Sequence, residues 1–266
     1  MLIDSTSIYP YLPVGIFVPD WIERNKTSVL SQDWQSALVS FFVTGEFNPQ
    51  EAFLVGSGFL YLCAGRMPSI VTAAHVIDDM RKSDFSFISI NGAKFSFGNL
   101  EVFFNNEQDY ALIPIPKRIA MEIPNSKVFT STCDSCEAQT SSFVIMGYPA
   151  KYNILHKMRP NKGLTPFNIN FHKFFYEVET EDIFFHFVPE GKKKNITFEP
   201  ISNKTSVPSL AGMSGGVIAQ IVMRGANDQF SLRAVGIFKE HRVKRGQYLV
   251  GATFIDFSNE VNDLMK

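Results

Sequence analysis

The chain has 266 residues, a net charge of −1, 45% hydrophobic residues and 19% charged residues. This balance provides no electrostatic footprint for nucleic acid or for an anionic membrane surface. No stretch approaches the ~18 consecutive apolar residues that a membrane-spanning helix needs. We therefore expect a globular protein with neither nucleic acid nor membrane as a partner.

Phenylalanine is abundant, with 26 occurrences, and aromatic and β-branched residues favour half-buried strands. Residues 1–35 contain Pro10, Pro13 and Pro19 and are predicted to form an N-terminal extension. After residue 36, short apolar runs alternate with turn sequences, which predicts a barrel or sandwich. The predicted strands are 37–43, 53–62, 69–75, 85–90, 100–104, 110–115, 143–148, 175–180, 183–188, 196–201, 215–222, 232–238 and 248–255.

Two segments of the domain lack a clear strand pattern. Residues 150–175 contain Pro160, Gly163 and Pro166 and are predicted to form surface loops. Residues 257–266 show helical spacing after a candidate N-cap at Asp256 or Ser258, and are predicted to form a C-terminal helix.

The cysteines and the N-terminus indicate a compartment. Three cysteines (Cys63, Cys133 and Cys136) cannot all pair within one chain and are too few for a disulfide-stapled scaffold. The first twenty residues contain no Lys or Arg and no unbroken apolar segment of the kind a secretory signal requires. The sequence predicts a reduced, cytoplasmic protein. Cys133 and Cys136 form one Cys-x-x-Cys pair, but no second Cys or His pair stands at zinc spacing, so we expect no metal site. We expect no cofactor either.

Three short motifs carry the candidate chemistry: TAAH at 72–75, DYALI at 109–113 and GMSGG at 212–216. Each one alone has an ordinary structural interpretation. A serine among glycines commonly forms a tight turn, a histidine beside small residues is commonly structural, and an aspartate before an apolar strand can simply end a loop. The order histidine, aspartate, serine, with these flanking residues, points instead to one composite site.

The three motifs resemble those of trypsin-like (chymotrypsin-fold) serine peptidases, and the resemblance extends over residues 37–266. FVIMGYP at 143–149 is similar to the start of the second barrel in bacterial members. As a whole, the sequence most resembles bacterial trypsin-like peptidase domains without a PDZ module. The resemblance implies an all-β fold of two antiparallel six-stranded β-barrels with a C-terminal helix. The peptidase domain then covers 36–266, with the first barrel at about 36–125 and the second at about 140–255.

The same resemblance implies a role for each motif residue. His75 is the general base, Asp109 orients its imidazole, and Ser214 is the nucleophile that forms an acyl-enzyme. The backbone amides of Gly212 and Ser214 form the oxyanion hole. Met213 occupies the position of the aspartate that binds a new N-terminus in secreted digestive members, so we expect no zymogen switch of that type.

The resemblance also implies a substrate-binding region, with Pro208, Val235, Gly236 and Ile237 as its residues. Pro208 stands near the position of the aspartate of basic-specific enzymes, so a preference for Lys or Arg is not expected. The edge of the strand at 234–238 is expected to bind an extended peptide by β-addition.

The expected function is hydrolysis of peptide bonds in protein substrates. The alternative is a latent or non-catalytic module of the same fold that binds proteins and acts only with a regulatory protein partner.

Overall fold

The computed structural model describes residues 2–4, 29–44, 51–62, 68–123, 125–130, 137–156, 164–171, 175–177, 182–186, 209–224, 229–242 and 248–253. Helices α1 and α2 span Ala74–Arg81 and Lys117–Glu122, and 3-10 helices span Gln35–Ala37 and Ala150–Tyr152. The strands are β1 Leu2–Asp4, β2 Leu38–Thr44, β3 Glu51–Leu62, β4 Pro68–Thr72, β5 Ser86–Ile90, β6 Ala93–Ser96, β7 Phe103–Asn105, β8 Tyr110–Pro114, β9 Glu137–Gly147, β10 Leu155–His156, β11 Phe167–Phe171, β12 Phe175–Glu177, β13 Asp182–His186, β14 Val217–Arg224, β15 Gln229–Arg242 and β16 Tyr248–Thr253.

The strands form two antiparallel sheets. The N-terminal sheet has the order β6-β5-β2-β3-β4-β8-β7, and β10 pairs with β3. The C-terminal sheet has the order β1-β12-β13-β16-β15-β14-β9-β11. The all-β architecture expected from the sequence is therefore confirmed.

The prediction of six-stranded closed barrels needs correction. Among the described residues, each sheet contains eight strands and no ladder joins its two edge strands. The extra strands of the N-terminal sheet are short, such as Ala93–Ser96 and Leu155–His156, and short strands leave little periodic signal in a sequence. The predicted helix at 257–266 and the predicted strand at 196–201 lie outside the described residues.

The central strands of the N-terminal sheet are buried on both faces, which explains their nearly continuous apolar sequences. Because successive side chains of a strand point to opposite faces, each strand supplies two separate cores. One core lies between this sheet and α1 and includes Val39, Phe41, Leu60, Ile70, Val76, Met80 and Ile113. The other lies between the two sheets and includes Phe42, Phe59, Val71, Leu112, Val144, Met146, Val217 and Leu232.

Described parts of the predicted N-terminal extension pack onto the domain. Leu2–Asp4 forms the edge strand β1, which pairs with β12 of the C-terminal sheet. Trp34 is buried and its ring lies 4.5 Å from that of Phe129. Phe129 in turn hydrogen-bonds through its backbone to Leu60 and Leu62 of β3. The described ends of the extension thus contact both sheets.

The segment 150–175 differs from the predicted surface loops. Its described residues include β11, which pairs with β9 over five residues, and Phe167 and Ile169 of this strand are buried. FNINF alternates apolar and polar residues, as a strand does. The nearby prolines and glycine obscured that pattern.

In the described part of the chain, no helix has the length and apolarity to cross a membrane.

Close packing of α1 on β3 generates a stability prediction. An ideal Cβ at Gly56 would overlap both methyl groups of Val76, the neighbour of His75 on α1. Gly56→Ala is therefore expected to lower the free energy of unfolding by about 1–3 kcal/mol. Gly98→Ala is the control, because a Cβ at Gly98 meets no heavy atom within 4 Å. Urea denaturation measures both variants, and equal free energies of unfolding would contradict the packing argument.

Candidate active site

His75 and Asp109 form a close pair at the start of α1. His75 is the second residue of this helix, and Asp109 lies directly before β8. The Asp109 carboxylate receives the backbone amide of His75 at 3.0 Å, and its two oxygens lie 3.0 and 2.9 Å from the His75 Nδ1. Since Nδ1 faces the carboxylate, the imidazole presents Nε2 as its remaining proton acceptor.

The backbone that presents Asp109 is constrained. Asp109 has a φ of +56°, in the left-handed region that few non-glycine residues adopt. The preceding turn is stabilised by the Asn105 side chain, whose Oδ1 accepts the amides of Glu107 and Gln108 at 3.0 and 3.1 Å. Backbone conformations of this kind persist where the surroundings enforce them, and they are frequent at functional sites.

The contact between the two side chains shifts both pKa values so that the imidazolium form of His75 and the carboxylate form of Asp109 are favoured. The hydrogen bond to Asp109 raises the pKa of His75 above its usual value, against an opposing effect of burial, and the charges of Asp79 and Glu240 add to the rise. Burial works against ionisation of Asp109. The hydrogen bonds and charge of His75 outweigh that effect, so the pKa of Asp109 is lowered.

The loop that carries Ser214 lies directly against the segment that leads into α1. Gly215 has a φ of +84°, and a Cβ there would overlap the carbonyl of Ser57 and the hydroxyl of Thr72 and lie 2.8 Å from the Ala73 amide nitrogen. Only glycine fits this position without displacing its neighbours. This contact brings Ser214, which precedes β14 of the C-terminal sheet, beside the N-terminal end of the helix that carries His75.

Ser57 of β3 connects that loop to the N-terminal sheet. Its amide donates to the Ser214 carbonyl at 2.8 Å, and its hydroxyl donates to the Gly212 carbonyl at 2.7 Å. The same hydroxyl accepts the amide of Tyr148 at 2.8 Å, and the Ser57 carbonyl accepts the Thr72 hydroxyl at 2.6 Å. Every hydrogen-bonding group of this fully buried residue is therefore satisfied.

The remaining carbonyls of the loop are held as well. The Ala211 carbonyl accepts the amide of Ala150 at 2.7 Å, and the Met213 carbonyl accepts the amide of Gly216 at 2.9 Å. In a trans peptide the N–H points away from the C=O. These carbonyl contacts therefore direct the Gly212 and Ser214 amides away from Ala150 and Gly216. Neither amide donates a hydrogen bond to another described residue.

The Ser214 hydroxyl donates to the Lys239 carbonyl at 2.7 Å. A hydroxyl has one proton, so in this arrangement it does not donate to His75. Lys239 lies at an irregularity of the ladder between β15 and β16, where pairing passes from Phe238 to Glu240. The bulge thus places a backbone carbonyl of β15 at the serine.

The predicted substrate residues Val235, Gly236 and Ile237 lie in the interior of the C-terminal sheet. They are buried in β15, where Gly236 and Ile237 pair with β14 on one side and with β16 on the other. At Gly236 and Ile237 the strand therefore has no free edge, which contradicts the expected β-addition at these two residues. The residue of β15 whose carbonyl meets the Ser214 hydroxyl is Lys239.

Several residues at the site were not singled out from the sequence. Ser57, Asn105, Ala150 and Lys239 act through backbone or buried polar contacts that leave little trace in a sequence. The one available signal is the Gly-Ser-Gly sequence inside β3, because glycine within a strand often marks a close approach of another backbone.

Pro208, Cys133 and Cys136 lie outside the described residues. Among those that are described, no cluster of three or more His, Cys, Asp or Glu side chains could hold a metal ion.

No protein-family model and no curated protein matches the sequence. Many solved structures match the fold. A serine endoprotease from Yersinia pestis has a TM-score of 0.51 and 14% identity, covering 94% of this chain and 68% of that chain. The serine protease domain of the Sesbania mosaic virus polyprotein has a TM-score of 0.46 and 13% identity, covering 84% and 91%. A protease from M. tuberculosis in its active form has a TM-score of 0.46 and 16% identity, covering 96% and 90%.

The chain therefore has the fold of the chymotrypsin-like serine proteases, and its structural neighbours come from bacteria and viruses. This confirms the resemblance to trypsin-like peptidases at the level of the fold. At these identities the similarity defines architecture and does not assign catalytic residues.

The paired pKa shifts generate a prediction for titration. The pair contributes most fully to the free energy of unfolding between about pH 3.8 and pH 6.5, the ordinary pKa values of the two groups. This contribution is lost as the pH rises through the raised pKa of His75, and it is also lost as the pH falls through the lowered pKa of Asp109. In an NMR titration, the His75 ring protons of the wild type should have a midpoint above 6.5. Asp109→Asn should move this midpoint down, because the hydrogen bond to Asp109 is the largest cause of the raised pKa of His75. The exposed Asp84→Asn is the control, and an unchanged midpoint in Asp109→Asn would refute the assignment of the shift to Asp109.

Proposed function

We propose that the chain is a serine endopeptidase that hydrolyses peptide bonds of protein substrates, with His75, Asp109 and Ser214 as its catalytic triad. The observation that carries the proposal is the hydrogen bond between the Asp109 carboxylate and the His75 Nδ1. His75 lies on α1, and the segment that leads into α1 contacts the Ser214 loop. The chymotrypsin-like fold supports it as an analogy of architecture.

In the proposed reaction, the Ser214 hydroxyl turns from the Lys239 carbonyl toward Nε2 of His75. His75 accepts the proton as the oxygen attacks the substrate carbonyl, and Asp109 stabilises the imidazolium that forms. The imidazolium then protonates the leaving amine, which departs and leaves an acyl-enzyme. A water molecule, activated by the same histidine, hydrolyses the ester.

The Gly212 and Ser214 amides are proposed to bind the oxyanion of the tetrahedral intermediate. Preorganised backbone donors of this kind lower the barrier because they need no reorganisation as charge develops. The Gly212 backbone has a φ of +87°, and a Cβ there would lie 2.6 Å from the Leu54 side chain and 2.8 Å from the Ala150 amide nitrogen. A side chain at this position would therefore displace the loop.

The substrate is proposed to run along the segment 239–241 of β15, in place of 235–237. The Lys239 carbonyl lies 2.7 Å from the Ser214 Oγ, so an acyl group on that oxygen begins beside this segment. Glu240 is exposed there and its charge acts on His75. The expectation against basic specificity rested on Pro208 and stays a prediction.

A latent form of the same enzyme is the second candidate. The observation that favours it is the resting hydrogen bond from the Ser214 hydroxyl to Lys239, which directs the proton away from the histidine. In this alternative a protein partner or substrate shifts the hydroxyl to His75. A latent enzyme reacts with a fluorophosphonate only after the partner is added, whereas an active one reacts alone.

Ser214→Ala tests the nucleophile. Because alanine has no hydroxyl with which to form the acyl-enzyme, kcat should fall by roughly 10⁶-fold. Hydrolysis of unfolded casein and covalent labelling by a fluorophosphonate measure the loss, with the buried Ser40→Ala as a matched control outside the site. Retention of either activity in Ser214→Ala would exclude Ser214 as the nucleophile.

The pH dependence tests the base. Since only the neutral imidazole accepts a proton, kcat/KM should rise with pH through a midpoint above 6.5. Asp109→Asn should lower kcat by about 10⁴-fold, because the imidazole loses its oriented tautomer. A rate profile independent of pH between 5 and 9 would argue against His75 as the base.

A further inference from the structure

Two buried serines lie opposite each other in the N-terminal sheet but make different contacts. Ser40 of β2 and Ser57 of β3 are paired in register, and both are fully buried. The Ser40 hydroxyl donates to the Ser89 carbonyl at 3.3 Å, within its own sheet. The Ser57 hydroxyl instead contacts two segments that precede or follow strands of the other sheet, at Gly212 and Tyr148.

The two contacts of the Ser57 hydroxyl fix the direction of its proton. The oxygen accepts the Tyr148 amide, so its own proton is available for the Gly212 carbonyl. This carbonyl belongs to the peptide group between Gly212 and Met213. Glycine permits rotation of that group at low cost, so an external donor is needed to select one orientation.

That peptide group lies between the two amides proposed to bind the oxyanion. The Gly212 amide precedes it and the Ser214 amide follows it, so its orientation sets the angle between the two donors. Ser57 also holds the next-but-one peptide group through its own amide, which donates to the Ser214 carbonyl. One residue of the N-terminal sheet thus clamps the loop on both sides of the peptide group that bears the Ser214 amide.

We propose that Ser57 is a positioning residue whose hydroxyl, by bonding the Gly212 carbonyl, holds the Gly212 and Ser214 amides in the geometry that binds an oxyanion. The inference rests on the proposed function and assigns to this site a residue on a strand that carries no member of the triad. Its role is to act through Gly212, without contact with the substrate.

The first test compares rates of fluorophosphonate labelling by the intact protein. Ser57→Ala should label about 10²-fold more slowly, the effect expected when donors shift by about 1 Å. Ser57→Cys should be intermediate, because a thiol is a similar size but a weaker donor. Ser40→Ala is the matched control and should label at the wild-type rate.

A pH profile separates positioning from general damage to the fold. Neither variant of Ser57 touches the hydrogen bonds between His75 and Asp109, so the midpoint of the labelling rate against pH should match that of the wild type. A slow Ser57→Ala with that unchanged midpoint, beside a normal Ser40→Ala, supports the proposal. Wild-type labelling by Ser57→Ala, or equal slowing in Ser40→Ala, overturns it and leaves the proposed function intact. If Ser57→Ala does not fold, Ser57→Cys decides by the same criteria.

Hydrogen–deuterium exchange supplies a readout that does not need activity. Peptides covering 209–216 should exchange faster in Ser57→Ala than in wild type, and at the wild-type rate in Ser40→Ala. If the wild-type protein is not labelled at all, the proposed function as a free-standing active enzyme fails. The positioning role is then judged by exchange alone, and equal exchange in all three proteins rejects it.

Discussion

The arrangement of the site depends on how the Ser214 loop is held by a sheet to which it does not belong. The loop leads into β14 of the C-terminal sheet, yet its Gly212 and Ser214 carbonyls bond to Ser57 in the N-terminal sheet. Those bonds are satisfied only while the two sheets stay packed through their shared apolar core. Burial of that core therefore stabilises the fold and sets the distances on which any chemistry at Ser214 depends. An error of about 1 Å there can change a rate by about 100-fold.

The histidine and aspartate are positioned differently, because both belong to the N-terminal sheet and its helix. Asp109 bonds the backbone amide and the ring of His75 together, so one carboxylate fixes the start of α1 and the orientation of the imidazole. The left-handed backbone of Asp109 is part of the same arrangement. His75 and Asp109 are thus held by contacts within the N-terminal sheet and its helix, whereas Ser214 is placed by contacts between the two sheets.

Local sequence patterns predicted most strands of the fold, since apolar runs such as LVSFFVT and YALIP form β2 and β8. The segment FNINF was missed although it alternates, because neighbouring prolines and a glycine suggested loops. The pairing of Gly236 and Ile237 on both sides was missed for another reason. The bulge at Lys239 and the pairing of β15 on both sides are properties of register, and register follows from the whole sheet.

The sequence by itself determined the types and order of the residues that carry the candidate chemistry, and the β-rich class, because both are local properties. TAAH, DYALI and GMSGG can be read without knowledge of the fold. Only the tertiary structure decided that Ser57 bonds Gly212, a residue 155 positions away, and that the Ser214 hydroxyl meets the Lys239 carbonyl. A hydrogen bond requires a donor and an acceptor within about 3 Å, and for distant residues that distance is set by the packing of the two sheets.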